Sequence, residues 1–417
     1  MTLSPLNDDG KPVDWWFLYK LPKLTASATT EAARGYEYLY FDSAMAGAPA
    51  PALVKSPYTL DADHGALFNT LDQLFSAPTA DLGWILYNDE VPPDGPTSLT
   101  LGHTKGVIGF DAASNTAFWL LHSWPKFPLP DDSAQPSPMY GQTFLCMALS
   151  LDTARELAKQ MHSYQEPQVY DPRIPTNLAD DDPLRLLTSG VTGDDPAGSE
   201  TLDLASRGGT PFKVIAKNRN WNDDFWNNLV VDEIKASIDV DTWVNGPGAI
   251  PGSTDRSKMY SVEDMKFISF DKLGFHYAWP ETRDHAKWAF SKSDNWICVG
   301  DINRKTTQRL RGGCTIAFQE PTLWANLSEV DAYVAPDGSG LTQKQMQDGV
   351  AKVAQANREA LGQTIAAAKR TPGYIEPTYS HRGIRAAVAS QQPHPQAGAA
   401  PAEPGKSTPK PRNRKGN

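Results

Sequence analysis

Two histidines, each followed two positions later by a lysine, are the residues of this chain best placed to do chemistry: His103 with Lys105, and His285 with Lys287. No other His-x-Lys triplet occurs among its eight histidines. A lysine ammonium binds a non-bridging phosphate oxygen as a point charge, while an imidazole attacks phosphorus or passes a proton near neutral pH. The pairing therefore suits phosphodiester chemistry. In an extended strand residues i and i+2 point to the same face, which presents each His beside its Lys. Taken alone, one such triplet reads as a solvated strand edge; two in matching surroundings carry the argument.

The surroundings match. A strand over His103 to Asp111 is followed by a turn at Ala112 to Asn115 and an apolar strand, Phe118-Trp119-Leu120-Leu121, that ends in His122-Ser123. Further on, Lys287-Trp288-Ala289-Phe290 is followed by a turn at Ser291 to Asn295 and Trp296-Ile297-Cys298-Val299-Gly300, ending in Asp301-Ile302-Asn303. Each half thus offers a hairpin with a His-Lys pair on one arm and polar groups at the end of the other. Hairpin register makes His122, Ser123, Asp301 and Asn303 candidates for orienting the imidazoles or binding phosphate oxygens, with a turn role the alternative for Asp301.

The elements that must position these residues read as strands at Val13 to Leu21, Tyr36 to Phe41, Gly83 to Asn88, Thr143 to Leu149, Phe212 to Lys217, Val240 to Val244, Met265 to Phe270 and Thr315 to Phe318. Helices are expected over Gly65 to Phe75, from Asp152 as N-cap to Met161, over Asn222 to Ser237 and over Pro321 to Val334. Residues 165 to 210, rich in Asp, Pro, Gly and Thr, read as a long connection. The similar order of elements suggests a duplication whose halves meet about a pseudo-twofold axis and bring the two pairs face to face. The expected organisation is an N-terminal half over 1–165, a connecting segment over 166–210, a C-terminal half over 211–335, a helical extension over 336–389 and a disordered basic tail over 390–417. The tail reads as a solvated end or as an arm adding affinity for DNA.

Composition bounds the rest. With 40% hydrophobic residues and twelve Trp the chain can bury a substantial core. No apolar run approaches a membrane span, and Met1 to Val13 lack the pattern of a secretory signal, so export by the usual route is not expected. Cys146, Cys298 and Cys314 have no metal-ligand spacing and read as buried thiols. A net charge of −10 disfavours nonspecific grip on DNA at pH 7. Below pH ~5 the carboxylates begin to protonate and that objection weakens.

Gly102-His103-Thr104-Lys105-Gly106-Val107 and Arg283-Asp284-His285-Ala286-Lys287-Trp288 resemble the two signature segments of the deoxyribonuclease II family, which is related in fold to the phospholipase D superfamily. So do Val13 to Pro22, Leu86-Tyr87-Asn88-Asp89, His122 to Pro128, Tyr140-Gly141-Gln142-Thr143, Val299 to Arg304 and Arg311-Gly312-Gly313. The resemblance spans about residues 12 to 325 in collinear order. It implies an α/β fold of two pseudo-symmetric phospholipase D-like halves, each a mixed β-sheet flanked by helices, sharing one central active site. It further implies hydrolysis of double-stranded DNA to 3′-phosphate and 5′-hydroxyl ends, with no metal, no cofactor and no membrane partner; a homodimer is one candidate assembly. One histidine would form a phosphohistidine and the other protonate the leaving oxygen; analogy with the superfamily gives His103 the first role and His285 the second, although the sequence itself is symmetric on this point. Lys105 and Lys287 would stabilise charge.

The chain departs from its relatives in two respects. Secreted animal members place a Cys where this chain has Ala289, so a disulfide near the second pair is not expected. The phospholipase D pattern continues to an Asp, but those positions are Phe110 and Lys292 here; a carboxylate partner for each His must come from elsewhere, with Asp301 one candidate. His64, His162, His276, His381 and His394 match nothing and read as structural or exposed. The rival readings are a phospholipase D-like enzyme acting on RNA or another phosphodiester, and a DNA-binding protein whose catalysis is lost.

Overall fold

The computed structural model describes residues 2–24, 33–48, 52–76, 78–129, 137–190, 196–250, 252 and 258–335. The expected extension over 336–389 and tail over 390–417 lie outside them. In chain order, β1 (Trp15–Lys20), β2 (Glu37–Asp42) and β3 (Val54–Thr59) lead to helix α1 (Ala66–Phe75). Then come β4 (Leu82–Asn88), β5 (Lys105–Asp111), β6 (Thr116–His122), β7 (Gln142–Ser150), α2 (Leu151–Gln160), β8 (Val169–Arg173), α3 (Pro183–Leu187) and β9 (Ser199–Ala205). The second half has β10 (Pro211–Lys217), α4 (Val231–Ile234), β11 (Ile238–Asp241), β12 (Val262–Ser269), β13 (Ala278–Pro280), β14 (Trp288–Ser291), β15 (Trp296–Gly300), β16 (Gly313–Gln319), α5 (Pro321–Leu327) and β17 (Asp331–Ala335).

These elements form an α/β fold of two multi-stranded sheets with a few helices. One sheet has the order β3-β2-β1-β7-β6-β5-β4-β8; the other runs β13-β12-β11-β14-β15-β16-β10-β9, with β17 added to β12. The first is antiparallel throughout, while the parallel pair β11 and β12 makes the second mixed. Strand β1 is buried along its whole length because both of its faces are covered. Trp15, Phe17 and Tyr19 enter the central core; Trp16 and Leu18 pack outward with Leu67, Leu71 and Leu74 of α1. The central core is shared by the sheets: the Trp15 ring meets Phe318 of β16 at 5.3 Å, and that of Tyr19 meets Trp288 of β14 at 5.8 Å. Facing sheets with interdigitated side chains hold their strand ends rigidly, and both His-Lys pairs sit at such ends.

Several elements differ from expectation, each for a local reason. Residues 165–210, read as a connection, contain β8 and β9, which pair with β4 and β10 at the sheet edges. An edge strand needs only one apolar face and tolerates Pro172, so its composition resembles a loop. Helix α2 is capped by Ser150, whose Oγ accepts from Thr153 N at 3.1 Å, while Asp152 lies in the first turn. The expected helix over Asn222 to Ser237 shrinks to a π-helical turn, Trp226–Val230, and α4, which stops at Lys235 in the left-handed region. The expected Pro321 to Val334 helix ends at Leu327, and β17 follows it. Finally, His103 and His285 lie in the lead-ins to β5 and β14 rather than within strands. Among the described residues no helix is long and apolar enough to cross a membrane.

Candidate active site

The first pair is built from both sheets. Asn88 at the end of β4 is in register with Lys105 at the start of β5, which places the next residue, Asp89, beside the His103 lead-in. The Asp89 carboxylate accepts from the Lys105 ammonium and from Arg311 Nη1 at 3.0 Å, and lies 3.7 Å from His103 Nε2. Arg311 belongs to the second half, just before β16. Its Nε and Nη2 also donate to the Leu101 and Gly102 carbonyls, both at 2.9 Å. The His103 main-chain N–H donates to Gly312 O at 2.9 Å and its ring Nδ1 lies 2.5 Å from Asp301 O. A carbonyl can only accept, so Nδ1 carries hydrogen and the neutral ring keeps its lone pair on Nε2. Gly102, just before His103, lets the lead-in pass close to Gln165: a Cβ there would stand 1.9 Å from Gln165 O.

The second pair is held by the opposite half in turn. His285 N donates to Gly141 O at 2.9 Å, and its Nδ1 lies 3.1 Å from Ser123 O and 3.3 Å from Gln142 Oε1. Lys287 Nζ is 3.1 Å from the same Nδ1 and also donates to His285 O. Asp284, buried next to them, accepts from Tyr19 Oη at 2.5 Å, Trp279 Nε1 at 2.7 Å and Ala286 N at 2.8 Å. Among the described residues no carboxylate faces this imidazole as Asp89 faces His103. Instead the Trp243 indole meets it edge to face at 5.0 Å, and Tyr140 packs on that indole at 4.7 Å. The two sites are therefore alike in how Nδ1 is steered and unlike in what lies beside the ring.

Burial sets the electrostatics. His103 is 7% and His285 9% exposed, so each imidazole keeps a small opening to solvent, whereas Lys105 and Lys287 are sealed in. Burial pulls the His103 pKa well below the ordinary 6.5; Lys105, Arg311 and Lys287 add to the fall and Asp89 opposes it. Burial likewise lowers His285, helped by Lys287, Lys105 and His103, so the two pairs are close enough to feel each other's charge. For Asp89, burial works upward, but Lys105, His103 and Arg311 together hold its carboxyl well below the usual range. Lys287 is drawn well down by burial and by Lys105, against Asp241, Asp284 and Asp89. Burial raises both Asp284 and the nearby Asp241, and the charge of Asp284 raises Asp241 further. Asp284 has three donors and, among the described residues, Asp241 has none, so the surroundings favour the charged form at Asp284 over Asp241.

The remaining sequence candidates divide. Ser123 and Asp301 do meet the imidazoles, but through their main-chain carbonyls. Ser123 Oγ donates to Gln142 Oε1 at 2.5 Å. The Asp301 carboxylate accepts from Cys314 N at 2.8 Å, and burial pushes it up to about 7. Asn303 Oδ1 accepts from Trp243 N at 3.2 Å, tethering the indole that backs His285. His122 stands apart from the imidazoles: its Nδ1 accepts from Trp124 N at 3.2 Å and its ring stacks on Phe144.

The carboxylate near His103 is thus Asp89, and of Asp301 it is the carbonyl that is used. Asp111 accepts from Ser114 N in the β5–β6 turn, Phe110 is core, and Lys292 pairs with Asp239 and Glu263. His64, His162 and His276 lie elsewhere, against Asp63, Gly190 O and Asp271; His381 and His394 are outside the described residues. All three cysteines are buried free thiols. Asp89, Arg311 and Gln142 fall inside segments that carry the family resemblance, which was the available signal for them; nothing in the sequence marks Trp243.

Comparison with known proteins follows the same lines. The family described as Deoxyribonuclease II matches residues 4–336. A protein named "Putative deoxyribonuclease-2" from Burkholderia pseudomallei (strain 1710b) is 51% identical over 340 residues, covering 81% of this chain and 95% of the relative. Plancitoxin-1 of Acanthaster planci is 33% identical over 76% of this chain and 87% of its own. Deoxyribonuclease-2-alpha of Rattus norvegicus is also 33% identical, over 77% and 91%. With nearly all of the described fold matched and both His-Lys segments inside the match, the chain belongs to the deoxyribonuclease II family.

Proposed function

We propose that this protein is an endodeoxyribonuclease that hydrolyses double-stranded DNA without metal, in acid, through a phosphohistidine. The observation that carries the reading is the crossed steering of the two imidazoles. Each Nδ1 meets a carbonyl from the other half, Asp301 O or Ser123 O, with Lys287 Nζ equally near that of His285, and each Nε2 is left for chemistry. The neutral His103 Nε2 attacks phosphorus, forming the N–P bond as the P–O5′ bond breaks. His285, protonated, gives its Nε2 proton to the departing O5′ while Nδ1–H stays on Ser123 O and Gln142 Oε1. Water then yields its proton to His285 and attacks phosphorus; the N–P bond breaks and a 3′-phosphate leaves. Asp89, 3.7 Å from His103 Nε2, stabilises the positive charge that ring gains, which favours His103 over His285 as nucleophile. Lys105 and Lys287, sealed behind the imidazoles, favour the phosphate charge from a distance and not as direct donors.

The test is plasmid cleavage at pH ~5 in excess chelator, run beside RNA and phospholipid. DNA nicking with 3′-phosphate ends is expected. Cleavage only on adding a divalent ion would overturn the metal-free route, and turnover of RNA or lipid alone would move the protein to the rival phosphodiesterase reading. No turnover at any pH would leave the DNA-binding reading.

A further inference from the structure

Two buried lysines outside the His-Lys pairs repeat one device. Lys20 ends β1 and Lys217 ends β10; both are fully buried. Lys20 Nζ donates to Leu21 O at 3.2 Å, Pro138 O at 3.1 Å and Tyr140 O at 2.6 Å. Lys217 Nζ donates to Gln308 O at 3.1 Å, Arg309 O at 2.9 Å and Arg311 O. An ammonium has three N–H groups, and each lysine spends all three on main-chain carbonyls rather than on a carboxylate. Leu21 O apart, the carbonyls belong to the segments that run into β7 and β16, in register with the lysines themselves: Lys20 opposite Gln142, Lys217 opposite Gly313.

Those two segments fix the histidines of the other half. After Tyr140, Gly141 O receives the His285 N–H, and the Tyr140 ring backs the Trp243 indole against the His285 ring. Arg311 grips Asp89 and the Leu101 and Gly102 carbonyls, and after it Gly312 O receives the His103 N–H. We propose that Lys20 and Lys217 are positioning residues for the reaction, Lys20 setting the geometry of His285 through the 138–141 segment and Lys217 that of His103 through the 308–312 segment. The inference rests on the hydrolytic reading above and deepens it. A near-attack geometry is lost when a reacting group moves by about 1 Å, and stranding two carbonyls of the 138–141 segment or three of the 308–312 segment is enough to shift it that far.

The test uses Lys20→Met and Lys217→Met in the full chain, with activity normalised to the folded fraction seen by circular dichroism. If a Met variant does not accumulate folded, Lys→Gln, which keeps two donors, replaces it with the same expectations. On plasmid DNA, kcat is expected to fall about tenfold or more in each variant with KM within about twofold, since orientation and not grip is lost. Thymidine 3′-(4-nitrophenyl phosphate), whose leaving group needs no proton, separates the two in the first step: Lys20→Met retains the stoichiometric burst of 4-nitrophenolate and Lys217→Met loses it. Histidine ring ¹⁵N resonances give an arm independent of turnover, with His285 moving in Lys20→Met and His103 in Lys217→Met. Wild-type kcat on both substrates, or unmoved ring resonances in both variants, overturns the proposal. A wild-type protein without nuclease activity overturns the hydrolytic reading instead, and the resonances still decide whether the lysines position the rings.

Discussion

Asp89 gathers more of the site's charge than any other single side chain, accepting from two buried cations while standing next to His103. Asp89→Asn leaves Lys105 and Arg311 without their counter-charge, and breaking a buried pair in this way costs about 3–5 kcal/mol. A lowered urea midpoint at unchanged slope is the expected reading, with cleavage reduced beyond what the loss of folded protein explains. His103→Ala and His285→Ala should each cut plasmid cleavage by about 10⁴-fold or more without moving the melting temperature by more than a few degrees. Turnover near wild type in either variant would remove that residue from the mechanism.

At the level of elements, the lead-ins to β5 and β14 matter more than the strands. They are irregular, so their geometry comes from contacts with the other half: Gly312 O on His103 N, Gly141 O on His285 N. Gly141 passes the Asp284 side chain so closely that a Cβ would stand 2.5 Å from Oδ2. Gly141→Ala must therefore push Asp284 off its three donors or lift the segment from His285. Loss of cleavage with the fold retained is expected; full activity would show that the segment yields freely.

For the whole molecule the prediction concerns pH. Both imidazoles are held below 6.5, first by burial and then by neighbouring lysines, so the folded protein keeps them neutral at pH 7. On the proposed mechanism one of them must be protonated, and that fraction is lost as pH rises through the depressed folded value. A bell-shaped kcat/KM profile with its descending alkaline limb below pH ~6.5 is expected, and a profile still rising at neutrality would contradict it. Stability has the opposite sign for these groups: unfolded histidines take up protons below about 6.5 before the folded ones do, so their contribution diminishes as pH falls. His103→Ala and His285→Ala should accordingly flatten part of the acid limb of a chemical-denaturation series.

The His-Lys pairs, the hairpins that present them and the α/β class were legible in the sequence, because i, i+2 spacing and apolar strand runs are local properties. Edge strands β8 and β9 were not, since one-sided burial leaves a composition like that of a loop. Nor was the division of labour around the imidazoles. Whether Asp301 offers its carboxylate or its carbonyl to His103, that Asp89 and not Asp301 lies beside Nε2, and that Trp243 takes the matching place at His285 all depend on register between segments far apart in the chain. The sequence by itself determined which imidazole, ammonium and carboxylate groups the site has to work with. Only the packing of one sheet on the other decided which atom of each group faces its neighbours, because a side chain's partners across an interface are set by the geometry of both surfaces at once.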